Sequence, residues 1–204
     1  MNLDRWQSLM GRLGFAGHRD VYDDLLAAYS ERHRCYHTGA HIADCLQRLD
    51  EAAGLAHSVD EVELALWFHD AVYATRRQDN ERRSADWAVA FLERAGAEDD
   101  RRARVRDHIV ATEHATTAPA DPDSALVVDI DLAILGSPPE AYRVFETDIR
   151  REYRWVPAPL YRRKRREVLN GFLARPRIYA TDHFRDRCEA PARDNLQAAI
   201  QALA

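Results

Sequence analysis

Leu64-Ala-Leu-Trp-Phe-His-Asp70 is the stretch on which the reading of this chain turns. Its first five residues are apolar, and Val62, Ala65 and Leu66 recur at the three- and four-residue intervals of a helix, with Trp67 and Phe68 beside them. An imidazole and a carboxylate close the run, which sets two polar, metal-competent groups against a core. A buried carboxylate has to be paired, protonated or metal-bound, and an adjacent His and Asp at a helix end can both reach one cation while the Asp bridges to a second. A plainer reading, an Asp cap beside a packed histidine, stays open on these residues alone.

Outward from there, the same period recurs in nearly every segment, as in Val21, Leu25, Ala28 and Tyr29. It predicts helices over 3–13, 20–32, 38–53, 59–73, 80–95, 99–114, 123–135, 139–152, 158–174 and 184–202. Breaks fall at Gly54, Gly96, Pro119 and Pro122, and at Gly136 ahead of Pro138-Pro139. Leu126-Val-Val128 and Arg177-Ile-Tyr179 are the only strand-like pieces, too short to build a sheet. The expectation is an all-α bundle, one domain over 1–204, without repeats or linkers.

The composition agrees. Hydrophobic residues make up 46% and charged residues 31% of 204 positions, enough for a sizeable core without disulfides. Cys35, Cys45 and Cys188 show no CxxC spacing and are read as structural thiols in a reducing compartment. With no signal-like or membrane-length apolar segment, the expected location is the cytoplasm and no membrane partner is implied. A net charge of −5 argues against duplex nucleic acid, and the basic run Tyr161-Arg-Arg-Lys-Arg-Arg166 reads as a solvated helix face. A second copy of the chain is an allowed partner.

Two further segments carry chemistry. In Tyr36-His-Thr-Gly-Ala-His41 the histidines are four apart, which on a helix puts both on one face. In Ala125-Leu-Val-Val-Asp-Ile-Asp-Leu-Ala-Ile-Leu135 only Asp129 and Asp131 interrupt an apolar run. Asp131 is read as a metal ligand, and Asp129 as a cap or a partner behind that ligand. His41, His69, Asp70 and Asp131 then form a mixed nitrogen and oxygen set suited to a hydrolytic Mn, Fe, Co, Ni, Mg or Zn ion, one or two in number. Water held there is acidified to a hydroxide nucleophile, and a phosphoryl oxygen is polarised.

The order and contexts of these residues resemble the HD superfamily of metal-dependent phosphohydrolases, whose pattern is a His, then His-Asp, then a distant Asp on helices. More narrowly, the segments 36–42, Phe68–Tyr73, Asp79–Ala85, Ile109–His114, Asp129–Gly136 and Glu189–Asn195 look like the bacterial group of predicted HD phosphohydrolases. The first motif is also similar to the Tyr-His-Asn-x-x-His signature of cyclic nucleotide phosphodiesterases, where the second His binds metal and the first protonates the leaving group. That likeness implies His37 as the acid, a role an imidazole suits. Thr38 stands where the signature has Asn, and Tyr73 where those enzymes place another His, so a cyclic nucleotide is not the expected substrate.

Around this set, Glu81 is a candidate for a catalytic carboxylate near the metal, and His114 for an extra ligand or phosphate contact. Arg34, Lys164 and Arg165 are candidate contacts to the substrate phosphate. His18, His33, His57, His108 and His183 read as surface residues, and Trp67, Trp87, Phe91 and Phe172 as core. The expected activity is hydrolysis of a phosphate ester or anhydride of a nucleotide or related small metabolite. The alternatives are a di-iron oxygenase, for which His108 and His114 would have to serve, and a non-catalytic metal or nucleotide sensor.

Overall fold

The computed structural model describes residues 1–114 and 119–203. Among them are ten α-helices: α1 (Leu3–Leu13), α2 (Arg19–Tyr29), α3 (Gly39–Ala52), α4 (Val59–Phe68), α5 (Asn80–Arg94), α6 (Asp99–Val110), α7 (Pro122–Leu132), α8 (Pro139–Glu152), α9 (Ala158–Leu173) and α10 (Asp182–Ala202). No strand occurs among the described residues; Leu126–Val128 is an interior turn of α7, and 177–179 is irregular. The chain forms an all-helical bundle whose buried cluster draws residues from all ten helices. No helix among the described residues is long and apolar enough to cross a membrane.

α4 is the central rod. It packs on α1, α3, α5, α6 and α7, and every residue from Glu61 to Phe68 is buried. A helix apolar all round belongs in an interior, and its two acids there are both paired. Glu61 receives Arg101 and Arg104 from α6, and Glu63 receives Arg5 and Arg12 from α1. Those pairs fasten the neighbouring helices to α4 at its N-terminal half. The far end, His69-Asp70, is thereby left at the middle of the bundle.

Local chemistry sets the helix ends. Asn2 caps α1 through Asp4 N–H at 2.8 Å, and Asp121 caps α7 through Ser124 N–H at 2.7 Å with Pro122 in the first turn. A 3-10 turn, Ala133–Gly136, follows α7 and lies under α10. Gly136 permits that closeness, since a Cβ there would stand 2.8 Å from the Cys188 backbone. Three α10 residues then tie the loops beneath. Glu189 accepts from Ile178 and Tyr179 N–H, Arg193 donates to Leu173 and Arg175 carbonyls, and Asn195 donates to Leu135 and Ser137 carbonyls.

Candidate metal centre

The site forms where helices stop. α4 ends at Phe68 rather than running to 73, because side chains take the carbonyls that further helical turns would use. Tyr29 Oη donates to the Trp67 carbonyl at 3.0 Å, and His69 Nδ1 to that of Leu66 at 2.9 Å. Arg34 donates to the carbonyls of Asp70 (2.7 Å) and Ala71 (3.0 Å). Beyond the turn, Ser84 Oγ holds Val72 and Asn80 brackets Ala74. His69 and Asp70 therefore sit on a backbone pinned from four directions.

His41 projects from the first turn of α3, His69 and Asp70 from the end of α4, and Asp131 from the last turn of α7. The His41 and His69 Nε2 atoms are 3.2 Å apart. Asp131 Oδ1 lies 3.1 Å from His41 Nε2 and 3.5 Å from His69 Nε2, while Asp70 Oδ2 lies 3.5 and 3.2 Å from the same atoms. The imidazoles are buried, and the carboxylates are about 15% exposed. His114 Nε2 reaches the other oxygen of Asp131 at 3.1 Å.

The donor set fits a divalent cation. His69 commits its Nδ1 proton to Leu66, so its Nε2 presents a lone pair to the Nε2 of His41 and to two carboxylate oxygens. A neutral His41 has at most one Nε2 proton to give to this ring of acceptors, so the remaining contacts call for a further proton or a metal ion. Without a metal, protons serve: burial opposes it, yet Asp70 and Asp131 raise His69 well above the usual histidine range. Burial likewise opposes ionisation of the two acids, but the imidazoles hold both well below the usual carboxylate range.

Cys45 belongs to this cluster, a placement the sequence reading missed by taking all three cysteines as structural. His41, Cys45, His69 and Asp131 bring one ligand atom each to within 4.8 Å of one another, a group able to hold a metal ion. The signal was available, since Cys45 follows His41 by one helical turn on the same face.

His37 is not on α3. That helix begins at Gly39 with Thr38 as its cap, so the expected one-face pair with His41 does not form, and the two rings lie 6.1 Å apart near the perpendicular. Instead Glu152, the last residue of α8, organises the segment before the cap. Its Oε1 accepts from the backbone N–H groups of Cys35, Tyr36 and His37 at 2.7, 2.8 and 3.1 Å. Its Oε2 meets His37 Nδ1 at 2.8 Å and the Tyr73 hydroxyl at 2.7 Å. Tyr73 also stacks on the His37 ring at 4.2 Å. Burial disfavours charge on both partners, yet Asp70 and Glu152 raise His37, and His37 with Tyr73 draws Glu152 down to about 2. Nothing near Glu152 in Ile149-Arg-Arg-Glu-Tyr153 marked it in the sequence.

The remaining candidates divide. Glu81 is half-buried at the start of α5, its carboxyl raised first by burial and then by the nearby charge of Asp70. The buried guanidinium of Arg34, expected at the phosphate, is engaged by Glu31 and the carbonyls of His37, Asp70 and Ala71 and lies near the Tyr29 and Tyr73 rings, so it clamps the site backbone. Lys164 is exposed and paired with Glu167, and Arg165 is paired with Glu146 over the Phe145 ring. His108 is buried rather than at the surface, with Nδ1 2.9 Å from Ser124 Oγ near the start of α7. Ser124 lies two helical turns before Asp131 on α7. Asp129 neither caps its own helix nor backs Asp131; it accepts from Ala180 and Thr181 ahead of α10.

A separate concavity of about 480 Å³, lined by Leu13, Phe15, Glu98, Asp100, Arg101 and Arg104 among others, carries no histidine or cysteine. Comparison with known protein families, with curated proteins and with solved structures finds no match to this chain.

Proposed function

We propose that this chain is a metal-dependent phosphohydrolase of the HD type, cleaving a phosphate ester or anhydride of a nucleotide or related small metabolite. One observation carries the reading: four ligand-type side chains from three helices converge on one point, and beside them stands a histidine held as a proton donor by a buried carboxylate. His41, His69, Asp70 and Asp131 are the residues that would hold the cation. Such an ion supplies an acidified water and a positive charge for phosphoryl oxygens.

The chain's own residues supply the rest. Glu152 fixes the His37 Nδ1–H and Tyr73 fixes the ring plane, so Nε2 is left to protonate a departing oxygen. Although burial opposes the charge, Asp70 and Glu152 raise His37, which favours the protonated ring. Glu81, whose carboxyl feels Asp70 and His114, is our candidate to take a proton there. In this reading the substrate phosphate meets the cation, His37 and His114 rather than Arg34.

The test is a phosphate-release screen over nucleotides and sugar phosphates with Mn, Fe, Co, Ni, Mg and Zn in turn, with Asp70→Ala as control. Release above that control with at least one cation is expected. Metal binding without turnover on any substrate would support the sensor reading instead, and equal release by wild type and Asp70→Ala would sink the assignment.

A further inference from the structure

We propose that the Cys45 thiolate is itself a ligand of the metal centre, so that the resident ion is thiophilic, of the zinc or cobalt kind, rather than magnesium or manganese. The inference rests on the metal-centre reading above. Cys45 Sγ stands 3.7 Å from His41 Nε2. An ion with bonds of about 2.05 Å to nitrogen and about 2.3 Å to sulfur in tetrahedral array places N and S roughly 3.6 Å apart and two nitrogens roughly 3.3 Å apart. The His41–Cys45 edge matches the first figure. The His41–His69 edge, at 3.2 Å, matches the second, and Asp131 Oδ1 closes the adjoining edges at 3.1 and 3.5 Å.

The sulfur's other edges lie within 4.8 Å. No other use for the thiol competes, because its hydrogen-bonding contacts among the described residues are with the ring of His41 alone. Cys45 is 1% exposed, whereas the Asp70 carboxylate is 15% exposed. An ion between them has a buried soft donor and a more exposed oxygen donor. Thiolate ligation favours zinc, cobalt and cadmium and is wasted on magnesium, which seeks oxygen. Binding releases the thiol proton to solvent.

Cobalt(II) makes the sulfur visible. The full chain, stripped with a chelator and titrated with cobalt, is expected to show visible d–d bands together with a near-ultraviolet thiolate-to-cobalt charge-transfer band. Cys45→Ser is expected to keep the d–d bands, lose the charge-transfer band, and lower the preference for zinc over manganese by about tenfold or more. Cys45→Ala serves as a second variant, with circular dichroism verifying that each is folded. Visible bands without charge transfer in the wild type, or a charge-transfer band surviving in Cys45→Ser, would overturn the ligand role and leave the metal centre standing. Absence of any cobalt spectrum would remove both.

Discussion

Asp129 and Asp131 stand two residues apart on α7, both in an apolar run, and face opposite fates. Asp129 is fully buried and meets only donors: the N–H groups of Ala180 and Thr181 and the Thr181 hydroxyl, at 2.7–2.8 Å. Asp131 meets three histidine rings and no backbone donor. Their ionisation separates accordingly. Burial raises Asp129 despite its hydrogen bonds, whereas at Asp131 the effect of burial is overridden by His114, His41 and His69. The difference teaches that a costly buried charge marks function only when its partners are titratable groups themselves short of a proton or a cation.

The sharpest way to break that contrast is Asp131→Asn. Asn keeps the volume but loses the charge, and we expect bound metal to fall below detection and turnover by about three orders of magnitude. His69→Ala and Asp70→Ala should behave alike. Elemental analysis after dialysis, beside the phosphate assay, checks this. Metal retained in full by Asp131→Asn would return Asp131 to the structural class of its neighbour.

Next in size is the pair that mixes both kinds of partner. Glu152 accepts three backbone N–H groups where Asp129 accepts two, yet also holds a titrating ring, like Asp131. Glu152→Gln should leave metal content unchanged and lower kcat by roughly tenfold to a hundredfold. His37→Ala should do so more severely, again with metal retained. The pH profile gives the sign. His37 is raised above 6.5, so its charged form persists to higher pH and activity falls only as pH climbs through the raised value; Glu152→Gln should move that alkaline limb toward lower pH. For stability, the ion pair contributes fully above the unfolded Glu value of 4.5 and below the unfolded His value of 6.5. It is lost on the acid side toward about 2 and on the alkaline side through the raised His37 value. An unmoved alkaline limb in Glu152→Gln would show that the carboxylate only props the loop.

These residues also mark where sequence stopped being informative. The ten helices follow from apolar spacing, Gly and Pro, since those signals are local. That His41, His69, Asp70 and Asp131 come together was legible because a titratable residue in or beside an apolar run has few other places to go. The ends of α4 and α6 were not, because tertiary donors such as Arg34 and Tyr29 stop α4 before its pattern does. Glu152 was invisible for a related reason: its meaning lies in a contact 115 residues away with His37. Asp131 was singled out as the ligand, but the role of Asp129 was not legible, because its donors come from Ala180 and Thr181, about 50 residues on.

Asp129→Asn sharpens the comparison from the structural side. The new amide would turn an N–H toward at least one of the donors from Ala180 or Thr181, leaving a buried group unsatisfied at about 1–3 kcal/mol. For a chain of this size that lowers Tm by roughly 2–4 °C per kcal/mol. Metal content and the cobalt spectrum should stay as in the wild type, which Asp131→Asn cannot match.

The smallest effect belongs to Lys164→Ala, which tests whether the basic face of α9 takes any part in the site. Lys164 is mostly exposed and bonded to Glu167 three residues on, at 2.8 Å. Such an exposed pair contributes little to stability and is screened by salt. Its removal should shift Tm by no more than about 2 °C and change KM for the hydrolysed phosphate by less than about twofold. A KM raised about tenfold or more, and restored by Lys164→Arg, would mean that the phosphate is drawn to α9 after all. The charge-hungry surface would then extend from Asp131 and its histidines across the mouth to that helix.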